Sequence, residues 1–318
     1  MRRIAAEDIE EDGLWNDKDD RWPPLPLDEW EDTRATLHMW TQIVGKIRMT
    51  LSPPQNHWWH VPLYVCARGL TTSLIPYGPG GFEILFDFVE HKLLIPKSDG
   101  STATLDLAPR SVADFYRELM STLKSLGIEA QINVKPMEVP DPIPFDQDTV
   151  HAAYDADYAN RFWRILLNTD CVLREFRGRF VGKSSPIHFF WGSFDLALTR
   201  FSGRRAPERP GADLVTREAY SHEVISCGFW PGGGPVKGAA FYCYAAPAPA
   251  GLEQMRVQPD AAFYHEELGE FFLMYDDMRR APLPDDTLLD FAQSTYDAAA
   301  DLAKWDRDAL EVKNMNAK

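Results

Sequence analysis

The chain reads as an α+β protein of two similar halves, each an antiparallel sheet with flanking helices. Three observations lead there. Short β-rich runs are broken by turn residues, longer stretches carry aromatic and aliphatic residues every three or four positions, and both recur in the same order in the second half. The 318 residues are 45% hydrophobic, 12% aromatic and 25% charged, the composition of a globular protein long enough for about two domains.

Taken in order, residues 1–21 form an acidic arm with Glu7, Asp8, Glu10, Glu11 and Asp12, expected to be mobile because like charges repel and little is apolar. The prolines of Trp22-Pro23-Pro24-Leu25-Pro26-Leu27 impose an extended path. A helix is predicted from Trp30 to about Arg48, then strands over 58–66, 70–76, 82–88, 91–96 and 102–107, with Lys97-Ser98-Asp99-Gly100 as a turn. A helix from Ser111 to Leu126 closes the first half. The stiff run Pro136-Met137-Glu138-Val139-Pro140-Asp141-Pro142-Ile143-Pro144 places the boundary between halves 22–140 and 141–318. The second half then runs through a helix from Thr149 to about Arg179, strands over 187–201, 221–229, 239–245 and 270–278, and a helix from Thr287 to Lys304.

An internal duplication is expected from three landmarks. His57–Val65 aligns without a gap on His188–Leu196, Gly81–Phe86 resembles Ser221–Ser226, and Asp114-Phe115 corresponds to Asp290-Phe291, with separations that grow along the chain. The second half has then lengthened by insertion.

Charge and punctuation exclude several functions. A net charge of −15 has the wrong sign for binding a polyanion, so nucleic acid is not an expected partner. The longest candidate apolar run, Ala239 to Leu252, is interrupted by Pro247 and Pro249, and the N-terminus lacks a signal-peptide core; no membrane association and a cytoplasmic location are the expectation. Cys66, Cys171, Cys227 and Cys243 have no paired or ligand-like spacing and read as small, buried, reduced thiols.

The run His188-Phe189-Phe190-Trp191-Gly192-Ser193-Phe194-Asp195-Leu196-Ala197, with Arg200-Phe201-Ser202-Gly203-Arg204 and Ser221-His222-Glu223-Val224-Ile225-Ser226-Cys227-Gly228-Phe229-Trp230-Pro231-Gly232-Gly233, resembles a bacterial family described only as a domain of unknown function. The resemblance extends from Trp22 to about Leu310 and implies no activity, so any chemistry rests on the residues.

Functional residue types are densest in those same runs. On one extended strand, His188 and Phe190 face away from Trp191, Ser193 and Asp195, unless a bulge at Gly192 brings His188 and Asp195 to one side. Trp191, Ser193 and Asp195 suggest a polar patch beside an aromatic wall, as in small-molecule pockets; the competing reading is a core aspartate satisfied by amides. Asp195, His222 and Glu223 are the candidate catalytic residues, and His188, Trp191, Ser193 and Arg200 the candidate ligand-binding residues. His222 and Glu223, adjacent on a strand, point to opposite faces, and Glu223 is expected to pair with an arginine such as Arg200, with Glu83 as its counterpart.

Other groups carry weaker signals. His57 and His60 lack a third ligand, so no metal site is expected. Gly182-Lys183-Ser184-Ser185-Pro186 lacks the spacing of a phosphate loop. Arg174, Arg177, Arg179 and Lys183 complement a helix end or, alternatively, clamp an anion together with Arg200 and Arg204. Cys227 reads as an inert thiol and Gly232-Gly233-Gly234 as a mobile loop. No cofactor is indicated. Two functions stand: binding or transforming a small, anionic molecule in the second half, or non-catalytic interaction and scaffolding.

Overall fold

The computed structural model describes residues 21–313 apart from Pro235. The expected acidic arm therefore lies outside the described residues except for Arg21, which is held by a forked pair to Asp285 (3.1 and 2.6 Å). The structure is α+β, with sheets that are antiparallel throughout.

After the extended prolines, α1 (Leu27–Leu51) begins with Asp28 and Glu29 in its first turn and carries Arg48 in its last, both favourable to the helix dipole. Every residue from Thr36 to Arg48 is buried, so α1 runs through the interior instead of lying on it. The helix stops at Ser52, ahead of Pro53 and Pro54. A 3-10 turn, Asn56–Trp58, leads into a sheet of short strands: β1 (Tyr64–Cys66), β2 (Gly69–Thr71), β5 (Leu85–Asp87), β6 (Lys92–Pro96) and β7 (Thr102–Asp106), in that spatial order. A separate hairpin, β3 (Ile75–Tyr77) and β4 (Gly80–Phe82), interrupts it. The strands expected over 70–76 and 82–88 are thus each divided in two. Ser73 adopts a left-handed φ of 48° while its N–H and that of Ile84 go to the hydroxyls of Thr71 and Thr72, which takes the chain out of the ladder. The turn at Lys97–Gly100 forms as expected, with Gly100 at φ 89°. Then α2 (Val112–Ser125) starts at Ser111, whose hydroxyl accepts from the Asp114 amide.

In the second half α3 (Ala156–Gly178) begins later than the periodicity suggests, because the Asp155 side chain caps it and 149–155 is non-helical. Next come β8 (His188–Phe190), β9 (Asp195–Arg205), the short helix α4 (Leu214–Ala219), β10 (His222–Trp230), β11 (Ala240–Ala246), β12 (Phe263–His265) and β13 (Glu270–Met274). They build a six-stranded sheet ordered β12-β13-β11-β10-β9-β8. Beyond it lie α5 (Tyr275–Arg279), α6 (Pro284–Leu302) and α7 (Arg307–Leu310). The strand expected over 187–201 is a hairpin, folded back through Trp191–Phe194. The strand expected over 270–278 ends at Met274, where Asp276 and Asp277 open α5.

The first landmark of the expected duplication thus falls on unlike elements: His57–Val65 spans a 3-10 turn and part of β1, whereas His188–Leu196 spans β8, a turn and the start of β9. The second straddles the end of β4 and the start of β5 in the first half but lies along β10 in the second, and the third falls in α2 and α6. The sheets meet at one antiparallel bridge, Leu63 to Phe189, whose amides exchange bonds of 2.9 and 2.8 Å. One continuous core runs through both halves, with Trp40 stacked on Phe115 (4.6 Å) and Phe162 on Phe194 (5.1 Å). The proline-rich connector is strapped to α1: Lys46 donates to the carbonyls of Asn133 (3.0 Å) and Lys135, and Gln42 bonds both backbone groups of Met137 (2.8 Å each).

Candidate functional site

Alternation along the six-stranded sheet sends its side chains to two faces. Leu196, Leu198 and Arg200 of β9, Ile225 and Cys227 of β10, and Phe241 and Cys243 of β11 lie on the face covered by α3 and α6. On the other face a cavity of about 410 Å³ is lined by His188 and Phe190 of β8, Asp195 to Phe201 at alternate positions of β9, Val224 and Ser226 of β10, and Tyr242 and Tyr244 of β11. His57, Trp58 and Trp59 wall one side, Val215, Thr216, Ala219 and Tyr220 of α4 and its C-cap another, and Met137 and Glu138 of the connector a third.

His188 and Asp195 share this face because the chain turns between them, not because a strand bulges at Gly192. Phe190 pairs with Asp195 and His188 with Ala197; the Phe194 amide closes the turn on the Phe190 carbonyl (2.8 Å), with Phe194 at φ 61°. The turn is anchored by α1. The buried His38 Nε2–H donates to the Gly192 carbonyl (2.8 Å), and Trp191 Nε1–H donates to the Val61 carbonyl (2.8 Å). The Trp191 indole lies directly on Gly45, where an added Cβ would come within 2.3 Å of the ring. Burial pushes the His38 imidazole down to about 4, so it stays a neutral donor.

Asp195 is buried, and its two oxygens accept from Ser193 Oγ (2.6 Å) and from the Tyr242 hydroxyl. Burial raises its pKa despite those bonds, and burial raises that of Tyr242 still more. Burial and the charge of Asp195 also raise the carboxyl of Glu138, at the rim, and push Glu270 of β13 up to about 7. His188 has no exposed surface, its ring lies 5.4 Å from Phe190 and 5.6 Å from Tyr64, and neither ring nitrogen has a hydrogen-bond partner. Burial first, and then the charges of Arg48 and Arg177, lower it to about 3, so it is neutral.

Of the residues singled out in the sequence, His188, Trp191, Ser193 and Asp195 come together; Arg200, His222 and Glu223 do not line the cavity. Arg200 lies on the opposite face, where its guanidinium sits 3.4 Å from the Phe176 ring centroid and 4.3 Å from that of Tyr296, and donates to the Phe176 carbonyl. Glu223 takes Arg204, not Arg200, as its partner (2.6 Å) and also accepts from Ser202 Oγ (2.9 Å). A bulge between His222 and Val224 separates these residues from the regular ladder. Glu83 accepts from the Thr71 hydroxyl, so the ion pair is not mirrored in the first half. His222 stands at the strand edge beside Ser221 Oγ (3.1 Å) and the His57 ring (5.7 Å).

The basic residues expected at a helix end or an anion clamp are engaged locally. Arg174 pairs with Asp170, Arg177 donates to Ser184 Oγ (3.1 Å) and Arg179 bridges to Glu175 (3.0 Å). Lys183 donates to His57 Nε2 (2.7 Å), while His57 Nδ1–H donates to the Glu218 carbonyl (3.1 Å). Among the described residues no group of three or more metal-ligating side chains converges. Sequence reasoning missed Tyr242 and Tyr244, although their alternation in Ala240–Ala246 was a usable signal. It also missed Glu138, which only the strapping of the connector to α1 brings to the rim.

Residues 22–312 match a family of unknown function (DUF5996). The chain belongs to this family. The DUF5996 match covers both sheets and every residue of the cavity. No curated protein and no solved structure matches the chain. No helix among the described residues is long and apolar enough to cross a membrane.

Proposed function

We propose that the protein binds a small molecule in the cavity on the open face of the six-stranded sheet. The observation that carries this reading is His188: a wholly buried, neutral imidazole with two unpartnered nitrogens on the wall of a cavity of about 410 Å³. An unsatisfied buried polar group costs about 1–3 kcal/mol, and a ligand offering one donor or acceptor recovers part of it. The aromatic walls and the few convergent polar groups, His188, Ser193, Asp195 and Tyr242, have the make-up of a ligand pocket, and the volume suits a molecule of drug size. The expectation of an anion loses its support, because Arg200 is on the other face and the lining contains no Lys or Arg among the described residues.

A fragment screen by thermal shift, repeated on Ala197→Phe, tests the reading. Ala197 lies on the cavity floor, and the larger ring fills the space without a new charge. Fragments that stabilise the native chain should fail to stabilise the folded variant. Equal responses in both, or no hit at all, would overturn the cavity reading and favour a scaffold.

We also infer that the two halves, 22–140 and 141–318, derive from one duplicated unit. Each has a helix, five antiparallel strands in sequential order and a second helix, with β3–β4, α4, β12 and α5 as insertions, and the landmark Asp114-Phe115 with Asp290-Phe291 falls on equivalent helices. Four unbridged cysteines support a reducing, cytoplasmic setting.

A further inference from the structure

We propose that the ligand is a small organic cation, a primary ammonium on an apolar or aromatic body, whose nitrogen is received between Asp195 and His188 with Glu138 at the rim. This rests on the cavity reading above and deepens it.

The polarity of the lining points one way. Asp195 and Glu138 both line the cavity, Glu138 beside the Gly192 backbone, where a Cβ would lie 2.5 Å from its Oε1, and no lining side chain carries a charge to neutralise them. Lys183, the basic group beside the wall, is committed to His57 and lies over the Trp59 and Phe201 rings, toward the far end of β9 from Asp195. Buried carboxylates are ordinarily paired or protonated. Asp195 has only two hydroxyl donors, and its neighbours Glu138 and Glu270 add repulsion in place of relief.

The second observation is independent of the acids. Because His188 pairs with Ala197 and Phe190 with Asp195, His188 and Asp195 are diagonal neighbours on one face, about 7–8 Å apart and somewhat closer at their Cβ atoms by the geometry of an antiparallel ladder. A single ammonium fits between them. It gives one N–H to the carboxylate and another to the free lone pair of the neutral imidazole, which has no other use within the fold. The third N–H is directed at Glu138, and the hydrocarbon part lies among Trp191, Phe190 and Trp58, whose ring faces also favour a cation.

The test uses the full chain at pH 7.5 and three molecules of one shape: 2-phenylethylamine, 2-phenylethanol and 3-phenylpropanoate, titrated by calorimetry and by quenching of tryptophan fluorescence. The amine should bind at least tenfold more tightly than the alcohol, with the carboxylate weakest. Glu138→Gln, at the rim, should lower amine affinity about threefold and leave alcohol affinity unchanged. Asp195→Asn should bring amine and alcohol within twofold of each other. If amine and alcohol bind alike in the native chain, the cation proposal fails while the cavity reading survives. It also fails if the carboxylate binds best, if none of the three binds, or if neither substitution alters amine affinity. The fragment screen with Ala197→Phe then decides the cavity reading separately.

Discussion

The two faces of the six-stranded sheet surround a buried polar side chain differently. On the helix-covered face Arg200 is caged: Phe176, Phe180 and Tyr296 surround its guanidinium and a main-chain carbonyl takes one of its hydrogens. On the other face, His188 is as thoroughly buried but has no partner, and it borders empty space. Both residues come from the same hairpin, so the difference is made by what is laid over the sheet. Helices α3 and α6 cover one face, whereas a short helix, a 3-10 turn and a connector only rim the other. Buried nitrogens go unpaired on both faces, Nε and Nη1 of Arg200 among its rings and both ring nitrogens of His188, but only the open face has room for a guest that could pair them.

That contrast is open to measurement. The largest effect is expected on the closed face. Arg200→Ala should cost about 3 kcal/mol in chemical denaturation, because it leaves a void among three rings, while Arg200→Met, which keeps most of the volume, should cost under half of that. Equal losses would mean that the charge, not the packing, holds this face. Next comes the anchor of the turn: Gly45→Ala should cost about 1–2 kcal/mol despite alanine's better helix propensity, since its methyl must displace the Trp191 indole from the helix surface. A shift in tryptophan emission should accompany the loss.

On the open face the expected signature is pH dependence. His188 has its pKa depressed to about 3 in the folded chain against about 6.5 unfolded, so the unfolded state takes up the proton first. Its contribution is present above pH 6.5 and is lost as the pH falls toward 3. Between pH 7 and 5 this amounts to about 2 kcal/mol, and His188→Gln should remove that part of the acid sensitivity. The smallest effect belongs to Asp195, whose carboxyl is shifted upward by burial. The folded chain then holds its proton more tightly than the unfolded one, and stability falls as pH rises from the unfolded value of 3.8 to the folded one. Asp195→Asn should therefore gain on the native chain over that interval, and the gain should level off above it. A variant whose disadvantage grows with pH would show that Asp195 is ionised and satisfied without a ligand.

The sequence was legible where local rules governed. Helix positions followed from apolar periodicity, and the Lys97–Gly100 turn from its residues. The patch Trp191, Ser193 and Asp195 was recognisable from its composition, and β10 and β11 from their β-rich runs. What failed were features decided at a distance. The β-rich run from Ile187 to Phe201 reads as one strand, yet the chain folds back because α1 offers His38 and Gly45 to receive the Trp191–Phe194 turn. Arg200 and Glu223 read as partners because both are charged and lie on strands expected to pair. Alternation sends Arg200 through the sheet, and a bulge delivers Glu223 to Arg204. Glu138 had no local signal, since the connector that carries it is placed by Gln42 and Lys46 of a helix almost a hundred residues earlier.

The seat of Trp191 on Gly45 also ties two distant codons to one history. A side chain at position 45 and an indole at position 191 exclude each other, so neither site can drift alone. Lineages that keep the glycine should keep a large aromatic opposite it, and any that gained a methyl at 45 should have shrunk the ring at 191 in compensation, leaving a wider cavity as the inherited trace.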